Sequence, residues 1–270
     1  MNSTQIKRFL SAVQLEMQCG YLASCRSSWK LSEMRSERNW LYFILDGSCN
    51  LQIEKQSFAL TPGDFALLPA GKMISINLTE EKRLLKYWCE FTATVGGRSV
   101  LDWLPLEYVV RPEAMDRVQE DFHDMLYDEM GTYTPSGERQ NRLLQSVFGA
   151  FLERAVRSEK ENRLLSVIDF MCLHMEEKMT LESLAEKAYM SPTAFSRSFR
   201  KTVGKAPMMF LNELRLGEAK RYLIETDMPI RQMAEICGFT DEFYFSRLFS
   251  GHTGMAPLTY RRERRGEKHG

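Results

Sequence analysis

The chain has 270 residues, with 36 Lys+Arg against 36 Asp+Glu and no formal net charge. At about 100–200 residues per domain that length points to two domains. A composition of 44% hydrophobic and 27% charged residues excludes a disordered or collagen-like chain. No run of about 18 apolar residues is present, which excludes a helical membrane span. The start, MNSTQIKRFLSAVQLEMQCG, has two early cations but neither a long apolar core nor a small-residue cleavage site. No leader is read there, so a cytoplasmic location without a membrane partner is expected. The six cysteines (Cys19, Cys25, Cys49, Cys89, Cys172 and Cys237) form no C-x-x-C pair. They are expected to be small buried hydrophobes rather than a zinc or redox site.

From about 21 to 110 the chain reads as short strands. WLYFIL (40–45) is a β-rich run closed by Asp46-Gly47, a hairpin turn signal, and CNLQIE alternates apolar with polar residues. Pro62-Gly63-Asp64 is a second tight turn, followed by FALLP, MISINL and LLKYWCEFTATV. Closely spaced short strands predict a sandwich or small barrel over 1–112. The period then changes. In EAMDRVQEDFHDMLYDEM, Met115, Val118, Phe122, Met125 and Leu126 recur at helical steps. TYTPSGE breaks the pattern, and a second stripe follows: Leu143, Leu144, Val147, Phe148, Phe151, Leu152 and Ala155. These two predicted helices, within 113–162, offer either a dimer surface or a cover for the β-domain.

Residues 163–270 are helical in pattern and hold 17 Lys+Arg against 14 Asp+Glu, a net +3 that the first 162 residues balance. They also contain a repeat. LAEKAYMSPTAFSRSFRKTVGKAPMMF (184–210) matches MAEICGFTDEFYFSRLFSGHTGMAPLTY (233–260). At a constant offset of 50 it pairs Phe195/Phe245, Ser196/Ser246, Arg197/Arg247, Phe199/Phe249, Gly204/Gly254, Ala206/Ala256 and Pro207/Pro257. Each copy predicts helix, tight turn, helix. Thr180 and Pro229 suit the first helix starts, Ser191-Pro192 and Thr240-Asp241 the second, and Gly204 and Gly254 their ends. Gly238 suits one turn, whereas Tyr189 is a weaker signal in the other.

Rotation at 100° per residue puts Thr193, Ser196, Arg197 and Arg200 on one side of the second helix, with Phe195 and Phe199 opposite. The second copy turns Phe243, Ser246, Arg247 and Ser250 outward, with Phe245 and Phe249 inward. A helix with hydroxyls and arginines outward after a helix and a turn suits the major groove, where Arg donates twice to guanine O6/N7. Phe243 could meet a thymine methyl or belong to the core. Between the copies, PMMFLNELRLGEAKRYLIET (207–226) predicts one helix of roughly 27 Å. That is near one DNA turn of about 34 Å, so a single chain could reach successive major grooves.

These residues resemble the DNA-binding domain of the AraC/XylS family of transcription regulators over about 165–265. The most specific stretch is IRQMAEICGFTDEFYFSRLFSGHTGMAPLTYRR. It departs from the family pattern at Ser250-Gly251, where a basic residue is usual. The resemblance carries reading positions onto Thr193, Ser196 and Arg197, and onto Glu242, Phe243, Ser246 and Arg247. FILDGSCNLQIE and FALTPGDFALLPAGKMISI resemble the cupin-type sensor domain common in that family. Met73 stands where a metal-binding cupin often has His, and residues 1–122 hold no His at all; the four are His123, His174, His252 and His269. No His-based metal site is expected, and no cofactor.

The architecture implied is α+β: a cupin-like β-barrel, a two-helix connector and an all-α domain with two helix-turn-helix units. The function implied is a DNA-binding regulator, not an enzyme, whose barrel binds a small organic effector. Trp29, Trp40, Tyr42, Tyr87, Trp88 and Glu90 are candidates to line the barrel: aromatics stack on sugar faces, and a carboxylate accepts hydroxyl hydrogen bonds. Their other reading is plain core filling. By resemblance the regulator is an activator that contacts RNA polymerase at promoter DNA; a homodimer is expected, with the helices of 113–162 pairing two chains. Two alternatives stand beside this: a constitutive regulator whose barrel only dimerises, and a cupin enzyme with a DNA-binding tail. The missing histidines count against the second.

Overall fold

The computed structural model describes residues 2–26, 29–79, 83–127, 132, 137–156 and 163–265. The first element is helix α1 (Ser3–Ser11). Asn2 starts it through a reciprocal cap: its Oδ1 accepts from Gln5 N at 2.9 Å, and Gln5 Oε1 accepts from Asn2 N at 2.6 Å. Ten strands follow among the described residues: β1 (Gln14–Cys25), β2 (Lys30–Arg35), β3 (Asn39–Asp46), β4 (Cys49–Ile53), β5 (Gln56–Leu60), β6 (Phe65–Leu68), β7 (Met73–Leu78), β8 (Leu84–Val95), β9 (Arg98–Ser99) and β10 (Val109–Val110). The helices after them are α2 (Met115–Leu126), α3 (Glu138–Ala155), α4 (Arg163–His174), α5 (Leu181–Lys187), α6 (Pro192–Val203), α7 (Pro207–Glu225), α8 (Ile230–Ile236), α9 (Glu242–Thr253) and α10 (Pro257–Arg265).

The strands make two antiparallel sheets, one in the order β1-β8-β3-β6-β10 with β9 on β8, the other β2-β7-β4-β5. This is an open sandwich of cupin-like type rather than a closed barrel. The Asp46-Gly47 turn does not close a hairpin. Gly47 takes φ +77°, but β3 pairs with β6 and β8 while β4 pairs with β5 and β7, so the turn hands the chain from one sheet to the other.

Alternation along the larger sheet gives it two apolar faces. One carries Tyr42, Ile44, Ala66, Leu68 and Leu84 against Leu51, Ile53, Leu60, Ile74 and Ile76 of the smaller sheet. The other carries Phe43, Phe65, Tyr87 and Phe91, and α2 and α3 cover it. Phe122 stacks on Tyr87 at 5.8 Å, Phe148 packs on Phe91 at 5.2 Å and Phe151 on Phe65 at 5.3 Å. Of the stripe read on α2, Met115 is exposed and the rest buried; on α3 the stripe is buried from Leu144 onward. These stripes therefore cover the chain's own sheet and are not free as a pairing surface. The sequence segments 128–131, 133–136 and 157–162, which the helical reading of 113–162 includes, lie outside the described residues.

β1–β10, α2 and α3 fold as one unit; α1 and α4–α10 fold as the other. In the helical unit α1 buries Ile6, Phe9 and Leu10, and Arg8 Nη1 donates to the Cys172 and Leu173 carbonyls at the end of α4, each at 3.0 Å. Gly217, an apparent flaw within α7, has a packing reason. A Cβ there would collide with the Ser11 side chain.

Candidate nucleic-acid interface and sensor interior

The two repeat units are α5-turn-α6 and α8-turn-α9. Thr180 caps α5 in a reciprocal box with Ser183. Ser191 Oγ accepts from Ala194 N at 3.4 Å, with Pro192 as first residue of α6. In the second unit Asp241, not Thr240, is the cap: its Oδ1 accepts from Phe243 N at 2.7 Å and Tyr244 N at 3.1 Å. The carboxylate outcompetes the hydroxyl there because it can take two amides and favours the positive helix end. Gly204 and Gly254 end α6 and α9 in the left-handed region. Both turns also contain a left-handed residue, Gly238 at φ +85° in the second and Tyr189 at φ +56° in the first.

The inner faces are aromatic. Phe195 and Phe199 lie 5.6 Å apart with Phe210 beside them, and Phe245 and Phe249 lie 5.5 Å apart between Phe239 and Tyr260. All four repeat phenylalanines are fully buried. That burial fixes the roll of α6 and α9, so the opposite face must be outward. Thr193, Arg197 and Arg200 are exposed and Ser196 is half-buried. On α9, Arg247 is exposed, Glu242 and Ser246 are half-buried, and Phe243 is 87% exposed and so does not belong to the core. Ser250, also turned outward by the rotation, uses its hydroxyl on the Ser246 carbonyl at 2.8 Å.

Among the described residues neither Arg197 nor Arg247 has an ion pair; Arg247 only leans over the Tyr244 ring at 5.8 Å. The basic tail behaves differently. Arg265 pairs with Asp227 and donates to the Ile224 and Thr226 carbonyls, and Arg261 donates to Met228 O at 2.6 Å. These two cations tie α10 to the α7–α8 connection instead of facing outward. Positions 266–270 lie outside the described residues. The rod between the units, α7, runs 19 residues, or about 28 Å.

In the sheet unit, Trp40, Tyr42, Trp88 and Glu90 share the inner face of the larger sheet, with Tyr42 opposite Trp88 and Trp40 opposite Glu90. Trp40 stacks with Tyr42 at 6.2 Å and meets Trp88 edge-on at 5.9 Å, and Tyr21 meets Trp88 at 5.0 Å. Trp29 packs against the same cluster. Tyr87 does not join them. Adjacent strand residues face opposite ways, and its hydroxyl lies 3.2 Å from His123 Nδ1 under α2.

Glu90 is engaged: Oε1 accepts from Arg38 at 2.8 Å and Oε2 from Trp40 Nε1 at 2.9 Å. Burial pushes its carboxyl up, but these hydrogen bonds outweigh that and hold it below the ordinary carboxylate range. The sequence reading missed Lys86. It stands on the inner face two residues before Trp88, opposite Ile44, with Nζ 3.3 Å from the Tyr42 ring centre and 4.6 Å from that of Trp29. The i, i+2 alternation of β8 would have placed it there.

Two helix-turn-helix units on one stiff helix, with a cupin-like sandwich in the same chain, define a two-domain DNA-binding regulator. Comparison with known proteins agrees. Residues 184–263 match the family described as helix-turn-helix domain, and residues 40–168 match the AraC-like ligand binding domain. The chain is 26% identical over 230 residues to the HTH-type transcriptional regulator YobQ of Bacillus subtilis, covering 81% of this chain and 84% of that one. It is 24% identical over 234 residues to the arabinose operon regulatory protein of Escherichia coli, covering 82% and 79%. Among solved structures, the DNA-binding domain of AdpA in complex with a target DNA is 33% identical, covering 39% of this chain and 98% of that one at a TM-score of 0.37. The chain belongs to the AraC/XylS family of transcription regulators. The DNA-binding match lies within the helical unit, and the ligand-binding match spans most of the sheet unit and runs on into α4.

Proposed function

We propose that this regulator reads promoter DNA with α6 and α9, and that a small organic effector held between its two sheets adjusts that reading. On α6 the contacts come from Thr193, Ser196, Arg197 and Arg200, and on α9 from Glu242, Phe243, Ser246 and Arg247. The observation that carries the assignment is the matched pair Arg197 and Arg247. Both stand at the same repeat position on helices whose roll is fixed by buried phenylalanines, and both are exposed and without an ion pair among the described residues. A structural arginine would be anchored, as Arg215 is by the Met175 and Glu177 carbonyls at 2.7 and 2.8 Å.

Effector and operator occupy distinct sites, so control is a coupling between two binding equilibria. By family likeness the regulator activates through contact with RNA polymerase and works as a homodimer in the cytoplasm. With the α2 and α3 stripes covered by the chain's own sheet, pairing falls to other surfaces. It is read as a regulator rather than a catalyst, needing neither metal nor cofactor.

Chromosome-wide mapping of bound sites tests the reading. Two unlike motifs about 10 bp apart, the helical repeat of DNA, are expected within the region one chain covers. A single short motif, or one motif inverted across that spacing, would contradict it.

A further inference from the structure

A lysine charge removed from water is strongly unfavourable unless a partner answers it. Lys86 is 2% exposed in the middle of β8, between Ala23 of β1 and Ile44 of β3. Among the described residues its ammonium has no hydrogen bond and no ion pair; its neighbours are the rings of Tyr42 and Trp29. Around it the interior is apolar, with Cys25, Ile44, Cys49 and Leu84 buried. The two ring faces attract the cation but give it no anion and no hydrogen-bond acceptor, and a methionine would fill a similar volume. From Lys86 the aromatic series Tyr42, Trp40, Trp88 and Tyr21 runs ring to ring, and Tyr21 at its end is half exposed.

We infer that Lys86 anchors the acid group of the effector, an apolar monocarboxylate, aromatic in its preferred form, that lies along the Tyr42–Trp40–Trp88–Tyr21 wall. The inference rests on reading the sandwich interior as the effector site and specifies its chemistry. Lys86 is the one cation buried in this cluster among the described residues, and a lone cation suits a single negative charge better than a phosphate, whose three oxygens call for several charged donors. Ring faces suit an aromatic body. A sugar would need free acceptors, and the carboxylate best placed for that role, Glu90, already serves Arg38 and Trp40. Burial lowers Lys86 to about 8, so the ammonium remains charged at neutral pH and a bound carboxylate would answer it.

The test uses the full-length protein and its Lys86→Met variant, with tryptophan fluorescence and thermal shift as readouts. The probes are benzoate, phenylacetate and octanoate, each against a neutral isostere (benzamide, phenylacetamide, octanol), with arabinose and inorganic phosphate alongside. At least one carboxylate should bind, its isostere should bind about 10- to 100-fold more weakly, and Lys86→Met should erase that difference. Without ligand the variant should melt higher than the parent, because it removes an unanswered charge. Equal binding of acid and isostere, or binding of arabinose or phosphate unaffected by Lys86→Met, would overturn the inference while leaving an effector site in place. No response to any carboxylate, or a variant that melts lower than the parent, would overturn it as well. None of these outcomes bears on DNA reading, which the arginine variants test separately.

Discussion

The turn between α8 and α9 sets how α9 is presented, and Gly238 is its critical residue. Its φ is +85°, and an added Cβ would stand 2.7 Å from the Met175 carbonyl oxygen and 2.9 Å from both Nε and Nη2 of Arg215. Arg215 is buried and donates to Met175 O at 2.7 Å and Glu177 O at 2.8 Å, closing the end of α4. Gly238→Ala therefore carries two costs. A side chain in the left-handed region costs about 1–2 kcal/mol, and dislodging the buried guanidinium weakens hydrogen bonds worth about 1.5–3 kcal/mol. The expected loss is about 2.5–5 kcal/mol. It is measured as a lower urea midpoint of the helical unit at unchanged slope. Tyr189 supplies the control, because it occupies the equivalent turn at φ +56° while largely exposed. Tyr189→Ala should change stability by less than about 1 kcal/mol. If Gly238→Ala unfolds within about 1 kcal/mol of the parent, neither the Arg215 contact nor the left-handed turn has the weight assigned to it.

Phe249→Ala should cost about 3–5 kcal/mol of stability by opening the cluster shared with Phe245 and Tyr260, and an unchanged melting profile would contradict its burial. Lys86 predicts a pH dependence. Its folded value of about 8 lies below the ordinary lysine value of 10.5, so the unfolded chain holds the proton more tightly between the two and stability rises with pH there. Tyr42, Cys25 and Cys49 face the same ammonium and titrate too, so the quantity to follow is the stability gap between Lys86→Met and the parent. That gap should narrow by about 3 kcal/mol between pH 8 and 10.5. A gap independent of pH would mean that burial does not lower the Lys86 ammonium from its ordinary range.

Strands β3, β4, β6, β7 and β8 were legible because each has apolar residues at the strand period with turn residues beside it. β1 and β2 were not. QLEMQCGYLASC alternates only over its first four residues and loses the pattern where its register shifts between Met17 and Cys19, and KLSEMR lies mostly exposed with its own shift between Leu31 and Met34. The Asp46-Gly47 signal was local and true as a turn, but turn chemistry does not say which sheet the next strand joins. The outward face of α6 and α9 was readable because the repeat supplies two registers that must agree, and helical rotation then separates arginine from phenylalanine. The sensor interior was read less well. Tyr87 and Trp88 cannot both face inward on one strand, and Lys86 shares the inner face of Trp88 and Glu90 by strand parity although its residue type gives no sign of burial. Folding of α1 onto α4 and α7 leaves no strong local sign beyond the spacing of Ile6, Phe9 and Leu10.

The central claim is that equivalent arginines on two duplicated helices read bases in two different places. The direct measurement is competition binding of a systematically substituted operator by the parent, Arg197→Ala and Arg247→Ala. Each variant should lose about 1–3 kcal/mol on the preferred site and relax discrimination at one or two base pairs, with the two positions lying about one helical turn apart. Loss spread evenly over all sequences, or relaxation by both variants at the same base pairs, would contradict the account.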